Sequence, residues 1–509
     1  MNRADPFTGY SFVLRTIVYV IVPAFTAFQL VRLRRALHVF QLEAYKRPNF
    51  RRWVAANRDK AWFLRPSTAK KPLVMTGRAW RILVTAALLS LLGVLLPSAV
   101  AHLWLGGAPA DLITWALATA ALFVWAPLLV PAADWLLTPV QRAVNARYVR
   151  AAKRKLDAIS PVVVGVTGSY GKTSTKFAVG RLLGDDDEVL VTPGSYNTTM
   201  GVVRAINEGL EPRHRYLVVE MGARQRGDIA EIGRLVRHEI AVLTAIGTAH
   251  LESFGSREAI KAGKLEIVGT LRPGGVAIVN SDDPTIRGLR DELSGREVVR
   301  YGLEPDGRPD VTATDVVVTR SGTEMTVVDR RTGASVRATT RLLGRHSIGH
   351  VLAGVAVAVH TGRDLDSLRQ GIAALTPVEH RLQLIEGAGG VTVLDDAFNS
   401  NPDGAAAALE VLESMPARQR IVVTPGIVEL GELQRSANEE LGRAAAAVAD
   451  VLIVVARLNR EAIVDGAEGG RSKVVTVASL GEATEELSKI VGPGDVVLFE
   501  NDLPDQYEG

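Results

Sequence analysis

A lysine, a pair of hydroxyls, an acid and a histidine occur in the sequence at places where phosphate chemistry can use them. In Val162 to Ser174, VVVGVTGSYGKTS, a glycine turn (Gly168-Ser169-Tyr170-Gly171) leads straight into Lys172, Thr173 and Ser174. Backbone N–H groups at a helix entrance cradle phosphate, and glycines let the backbone approach. A lysine there neutralises charge, and a threonine hydroxyl holds magnesium. Glu220 ends the run YLVVE, just before Met221-Gly222-Ala223. A carboxylate at the C-terminal end of a parallel strand points into the ligand crevice, where it can hold magnesium directly or through water. The competing reading of Glu220 is a helix cap. His250 follows a strand and a glycine turn and can reach the same crevice, although lone histidines are more often structural. Lys264 lies four residues after Ile260 in a helical run, and by periodicity alone it is an exposed helix lysine.

The elements that must position these groups are legible. Val162–Val164 is a short β-branched run that reads as a buried parallel strand, and a helix-compatible run begins at Thr175. The general phosphate-loop pattern has a glycine where Val166 stands, so the match is to a shortened form, TGxxGKT. Apolar β-rich runs at 189–191, 216–219, 240–244 and 276–279 alternate with helical stretches, the signature of a parallel sheet covered by helices. Residues 310–343 alternate in the manner of antiparallel hairpins, and 344–360 returns to helix. A second α/β unit is expected from about residue 391, with strands at 391–394, 420–424, 451–455 and 496–499. Pro377 marks the boundary between the two.

Composition narrows the function. The 509 residues carry a formal net charge of only +4, which argues against a nucleic-acid-binding polycation, and no cysteine. Disulfides, thiolate metal sites and a cysteine nucleophile are therefore excluded. Apolar runs at about 11–30, 82–105 and 112–137 are each long enough to cross a bilayer, which needs ~20 residues; Arg15 interrupts the first, and a second reading has only the later pair crossing, as a hairpin. Basic segments follow the first and the third. On the positive-inside rule this predicts a multi-pass protein of the inner (cytoplasmic) membrane with its catalytic part in the cytoplasm, touching membrane lipids. Asp134, near the end of the third run beside Trp135, reads as an interfacial residue.

Nine stretches, in order, resemble the Mur ligase family, the ATP-dependent amide ligases of cell-wall peptide synthesis. They are TGSYGKTS, SYNTTMGV, VVEMGA, TAIGTAHLESFGSREAIKAGKLEI, IVNSDDP, LLGRHSIGHVLAG, EHRLQLIE, LDDAFNSNPDG and IVVTPGIVELGEL. Within the family the pattern is most similar to the member that adds D-alanyl-D-alanine. The resemblance implies an α/β protein with a P-loop-type central domain (161–376) and a Rossmann-like C-terminal domain (377–509), preceded by an α-helical transmembrane region (1–160). It implies that Thr167, Gly168, Ser169, Tyr170, Gly171, Lys172, Thr173 and Ser174 hold the ATP phosphates. Asn280 and His346 would contact the nucleotide, and Arg381 and Asp396 would close on it. Thr173 and Glu220 would hold one Mg2+ and His250 a second, with Lys264 as a metal-binding carbamate. Asn197, Thr198, Asn399 and Asn401 would face substrate. The implied chemistry activates a carboxylate as an acyl phosphate, which the amine of an amino acid or dipeptide attacks.

Some positions depart from the family pattern. Ser347 and His350 stand where the family has asparagines, Phe398 where it has tyrosine, and Pro425-Gly426 where it has an acidic pair. The family's UDP-sugar-binding N-terminal domain is missing, which suggests a membrane- or lipid-linked carboxylate acceptor from the cell envelope. Two other functions fit parts of the pattern: a ligase resembling the poly-γ-glutamate synthases, and a nucleotide-binding scaffold or sensor in an envelope complex. The intact Lys172, Glu220, His250 and Lys264 set argues against the scaffold.

Overall fold

A computed structural model describes residues 22–58, 61, 72–105, 108–319, 322–398, 400–455 and 457–502. They fall into two compact units divided between Ala146 and Arg147. The first unit is helical, with α1 (Val22–Leu42), α2 (Arg47–Ala56), α3 (Gly77–Leu105) and α4 (Ala108–Leu136). Its core gathers Leu33, Leu37, Phe40, Phe50, Ile82 and Val130. Asp134 is 5% exposed and takes Arg47 Nε at 2.9 Å and Arg78 Nη2 at 2.8 Å. It ties α2 and α3 to the end of α4 through these two ion pairs.

Among the described residues two helical stretches, Gly77–Val100 and Ala116–Leu136, are long and apolar enough to cross a membrane, by length and composition only. Residues 11–21 of the first expected span lie outside the described residues. Its remainder opens α1, which carries Arg32, Arg34 and Arg35.

The second unit holds two sheets. In the first, β1 (Val162–Thr167), β2 (Val189–Val191), β3 (Tyr216–Glu220), β4 (Ile240–Leu243), β5 (Val276–Asn280) and β6 (Glu297–Tyr301) run parallel. The hairpins β7 (Val311–Thr319), β8 (Gly322–Asp329) and β9 (Ala334–Thr340) extend the sheet to the order β2-β3-β1-β4-β5-β6-β7-β8-β9. β1 is flanked by β3 on one side and β4 on the other, with Val166 opposite Glu220 and Thr167 opposite Leu243. The strand order reverses there, which is where an open α/β sheet binds ligands.

Helices cover both faces of this sheet. α5 (Thr138–Ile159), α7 (Thr199–Gly209), α8 (Asp228–Val236) and α9 (Arg257–Gly269) pack on one. α6 (Lys172–Leu183) and α10 (Arg345–His360) pack on the other. This double cover explains why β3 and β4 read as unbroken apolar runs and are buried along their whole length.

The second sheet has the order β10-β11-β15-β12-β13-β14, from β10 (Gln383–Glu386), β11 (Thr392–Asp396), β12 (Arg420–Thr424), β13 (Val451–Val455), β14 (Lys473–Val477) and β15 (Val496–Glu500). β10 pairs antiparallel with β11, and the other pairs are parallel. α11 (Pro402–Ser414) and α12 (Gln434–Val448) cover it. Asp396 and Glu500, the last residues of β11 and β15, are directly paired in register.

Candidate active site

The turn after β1 is held open by close packing. Gly171 sits at φ +75°, and a Cβ there would lie 2.8 Å from His350 Cε1. At Gly168 a Cβ would lie 2.0 Å from Thr244 Oγ1. Only glycine lets the backbone run this close to the end of β4. The Ser169 N–H donates to Ala245 O (2.8 Å), and the Gly247 N–H donates to Ser169 Oγ (2.9 Å). The loop is thus anchored to the strand beside it before any phosphate arrives.

Lys172 opens α6, and its ammonium donates to the loop's own carbonyls, Gly168 O (2.9 Å) and Ser169 O (3.0 Å). Burial pulls its pKa down to about 8, with Arg381 adding to the effect and Glu220 opposing it. Thr173 Oγ1 donates to Glu220 Oε2 at 3.0 Å, and Asn197 Nδ2 donates to Glu220 Oε1 at 3.0 Å. Glu220 is 1% exposed. Burial pushes its carboxyl up, but Lys176, Lys172 and the Asn197 amide together hold it below the usual carboxylate range.

Sequence reasoning missed Lys176. It lies four residues after Lys172, is fully buried, and sets its ammonium 3.1 Å from Glu220 Oε2 while donating to Gly194 O. The helical i, i+4 spacing from Lys172 was the available signal.

Lys264 is not the exposed lysine that periodicity suggested. It is 1% exposed, and its Nζ has no hydrogen-bond partner. Burial, followed by the charge of Lys172, pulls it well below the usual lysine range. His250, at φ +63°, places Nδ1 2.5 Å from Glu429 Oε2, in the loop after β12. Glu429 is a second residue that sequence reasoning did not single out.

The remaining expected residues divide into two groups. Arg381 is drawn toward the site: its guanidinium stacks 4.5 Å over Phe398 and senses Asp396, Glu220 and Glu500. Asp396 accepts from the Leu382 N–H at 2.9 Å. The Tyr170 hydroxyl hydrogen-bonds to Asp403, in the first turn of α11, so the phosphate loop touches the second sheet's layer. Asn280, in contrast, spends its amide on Thr244 O (2.9 Å) and its Oδ1 on the Asp282 N–H (3.0 Å), as part of the frame. Thr198 and Asn401 cap α7 and α11. His346 Nε2 lies 3.2 Å from Ser347 Oγ, and burial pulls it down to about 4. Asn399 lies outside the described residues.

Among the described residues no three His, Asp or Glu side chains gather into a ready-made metal cage. A hydroxyl and one carboxylate of hard oxygen fit Mg2+ that takes most of its ligands from phosphate and water.

Two family models match the chain: the Mur ligase middle domain over residues 166–358, and the glutamate ligase domain of Mur ligases over residues 380–500. UDP-N-acetylmuramoyl-tripeptide–D-alanyl-D-alanine ligase of Mycobacterium leprae is 34% identical over 391 residues, covering 70% of this chain and 74% of its own. The Escherichia coli ligase of the same name is 36% identical over 285 residues, covering 56% of this chain and 62% of its own. Among solved structures, MurF from Acinetobacter baumannii has a TM-score of 0.65 at 26% identity, over 71% of this chain and 78% of that one. MurF from Thermotoga maritima in complex with ADP has a TM-score of 0.63 at 28% identity, over 72% of this chain and 81% of that one. The multi-pass inner-membrane localisation expected from sequence is overturned. The relatives are named as ligases of a UDP-linked muramoyl peptide, and the two long apolar helices among the described residues qualify by length and composition only. With both family models matched in order, and a relative 34% identical along 74% of its length, the chain belongs to the Mur ligase family of ATP-dependent carboxylate–amine ligases.

Proposed function

We propose that the chain joins the terminal carboxylate of a muramoyl peptide to the amine of D-alanyl-D-alanine, making a peptidoglycan precursor while ATP becomes ADP and phosphate. The observation that carries this reading is the phosphate loop at the strand-order reversal, with the Thr173 hydroxyl on Glu220 and Arg381 approaching from the other sheet. The names of the matched relatives support the substrate pair. The same names, on relatives that match 70% and 56% of this chain, support it against a poly-γ-glutamate synthase or a scaffold. The acceptor in this reading is the UDP-linked peptide of those relatives rather than a lipid-linked one. The domain boundaries that go with it are 160/161 and 376/377.

In this mechanism the Gly168–Ser174 backbone and Lys172 hold the β- and γ-phosphates. A carboxylate oxygen of the acceptor attacks the γ-phosphorus and ADP leaves. The amine then attacks the acyl carbon, loses a proton, and phosphate departs. Mg2+, when bound, offsets charge between phosphates and carboxylate; Thr173, Glu220 and His250 would hold it. Arg381 and Asp396 close over the nucleotide and exclude water that would hydrolyse the acyl phosphate. Lys264, buried without a hydrogen-bond partner and with burial disfavouring its ammonium form, is suited to add to CO2: its nitrogen gains the carbon and loses a proton, giving an anionic carbamate. That would turn an unpartnered amine into a metal-facing carboxylate.

The test is ADP formation by the full chain with UDP-muramoyl tripeptide and D-alanyl-D-alanine, each omitted in turn. Turnover that needs both is expected. Turnover with glutamate instead, or none, refutes the proposal.

A further inference from the structure

His250 and Glu429 come from different sheets. His250 follows β4 and Glu429 follows β12, yet Nδ1 and Oε2 are 2.5 Å apart. A backbone bond from Glu252 N to Glu429 O (3.3 Å) lies beside them. Both residues sit in the left-handed region, His250 at φ +63° and Glu429 at φ +66°, without being glycine. Each such conformation costs on the order of 1 kcal/mol and persists only where its surroundings enforce it, commonly at functional sites. Both side chains are 19% exposed, so the contact is sheltered from water without being sealed.

We infer that Glu429 is a positioning residue for His250, supplied by the C-terminal domain, so that the ring presents Nε2 to the metal–nucleotide site only when the two domains meet. A carboxylate that accepts the Nδ1 proton fixes the tautomer, leaves the Nε2 lone pair outward and stiffens the ring. Nothing in the central domain does this for His250 among the bonds described. The incoming domain therefore completes a ligand belonging to the other, and domain closure and metal affinity become one equilibrium. This rests on the reading of His250 as a metal-holding residue, and the test separates the two.

Mn2+ binding to the full chain with a non-hydrolysable ATP analogue is followed by electron paramagnetic resonance. His250→Ala is expected to weaken Mn2+ at least tenfold. Glu429→Ala is expected to weaken it by about 10- to 100-fold, the range seen when such outer partners are lost. Glu429→Gln, whose amide oxygen still accepts the Nδ1 proton, is expected to recover affinity to within about threefold of the parent chain. Glu429→Ala with unchanged Mn2+ affinity beside a weakened His250→Ala overturns the positioning role alone. So does a Glu429→Gln as weak as Glu429→Ala. An unaffected His250→Ala overturns the metal reading underneath.

Discussion

Replacing Lys176 with methionine keeps the stem and deletes the ammonium, which isolates the charge buried beneath Glu220. Both residues are shut away from water, at 0% and 1% side-chain exposure, and the ion pair is 3.1 Å long. Removing one partner of such a pair strands the other and costs about 3–5 kcal/mol. Thr173 and Asn197 still donate to Glu220 at 3.0 Å each, so the lower end, about 3 kcal/mol, is expected. Glu220→Gln is gentler, about 1–2 kcal/mol, because burial already weakens the Lys176 proton and Gly194 O still accepts from the amine. In the double variant neither charge is stranded, so the two changes couple by about 2 kcal/mol. Urea unfolding followed by circular dichroism reads this. Tryptophan fluorescence would not, because all seven tryptophans lie at or before Trp135. A loss below about 1 kcal/mol for Lys176→Met, or additivity in the double variant, refutes the reasoning.

Gly171→Ala places a methyl 2.8 Å from His350 Cε1 at a φ of +75°, so affinity for an ATP analogue should fall about tenfold in a calorimetric titration. Lys264→Ala should lower single-turnover acyl transfer by at least ~100-fold while nucleotide affinity stays within about threefold, and the parent chain should show a carbamate carbon by 13C NMR with labelled bicarbonate. His238 is fully buried with Nε2 2.8 Å from Ile267 O, and burial pulls it from 6.5 down to about 4. The unfolded chain therefore binds the extra proton first, and stability drains away as pH falls from 6.5 toward 4, by about 1.4 kcal/mol per unit. His238→Gln should flatten that slope in urea midpoints measured across the range.

The frame of the site was readable because it rests on local chemistry. The β-branched run at 162–164, the glycines at 168 and 171 and the terminal acid of YLVVE each announce themselves in a few residues, and β1, the turn and β3 meet as that pattern requires. Strands β6, β10 and β14 were missed. EVVRY, QLIE and KVVTV are short, and β10 and β14 are edges whose residues stay partly exposed and mixed in character. Lys264 shows the limit of periodicity: its helix position looks outward by count, but Phe254 and the turn before it fold over that side. Glu429 was illegible for a different reason, and the i, i+4 spacing that marked Lys176 did not say what it would meet. Each acquires meaning only from a partner distant in sequence, 179 residues away for His250 and 44 for Glu220.

The charges gathered here explain why the site needs its substrates to be electrostatically finished. Lys172, Lys176, Lys264 and Arg381 approach one buried carboxylate, Glu220, and burial lowers the pKa of each cation. Across the cleft, burial keeps Asp396 and Glu500 above the usual carboxylate range, with Asp395 adding to the effect at Asp396 and Asp396 adding to it at Glu500. A polyanion laid between the loop and Arg381 would favour the protonated lysines and offer the Lys172 ammonium a stronger acceptor than the carbonyls it now uses. In the proposed mechanism the same anion would draw Arg381 and its sheet toward the loop, so that one force would bind nucleotide and close the domains.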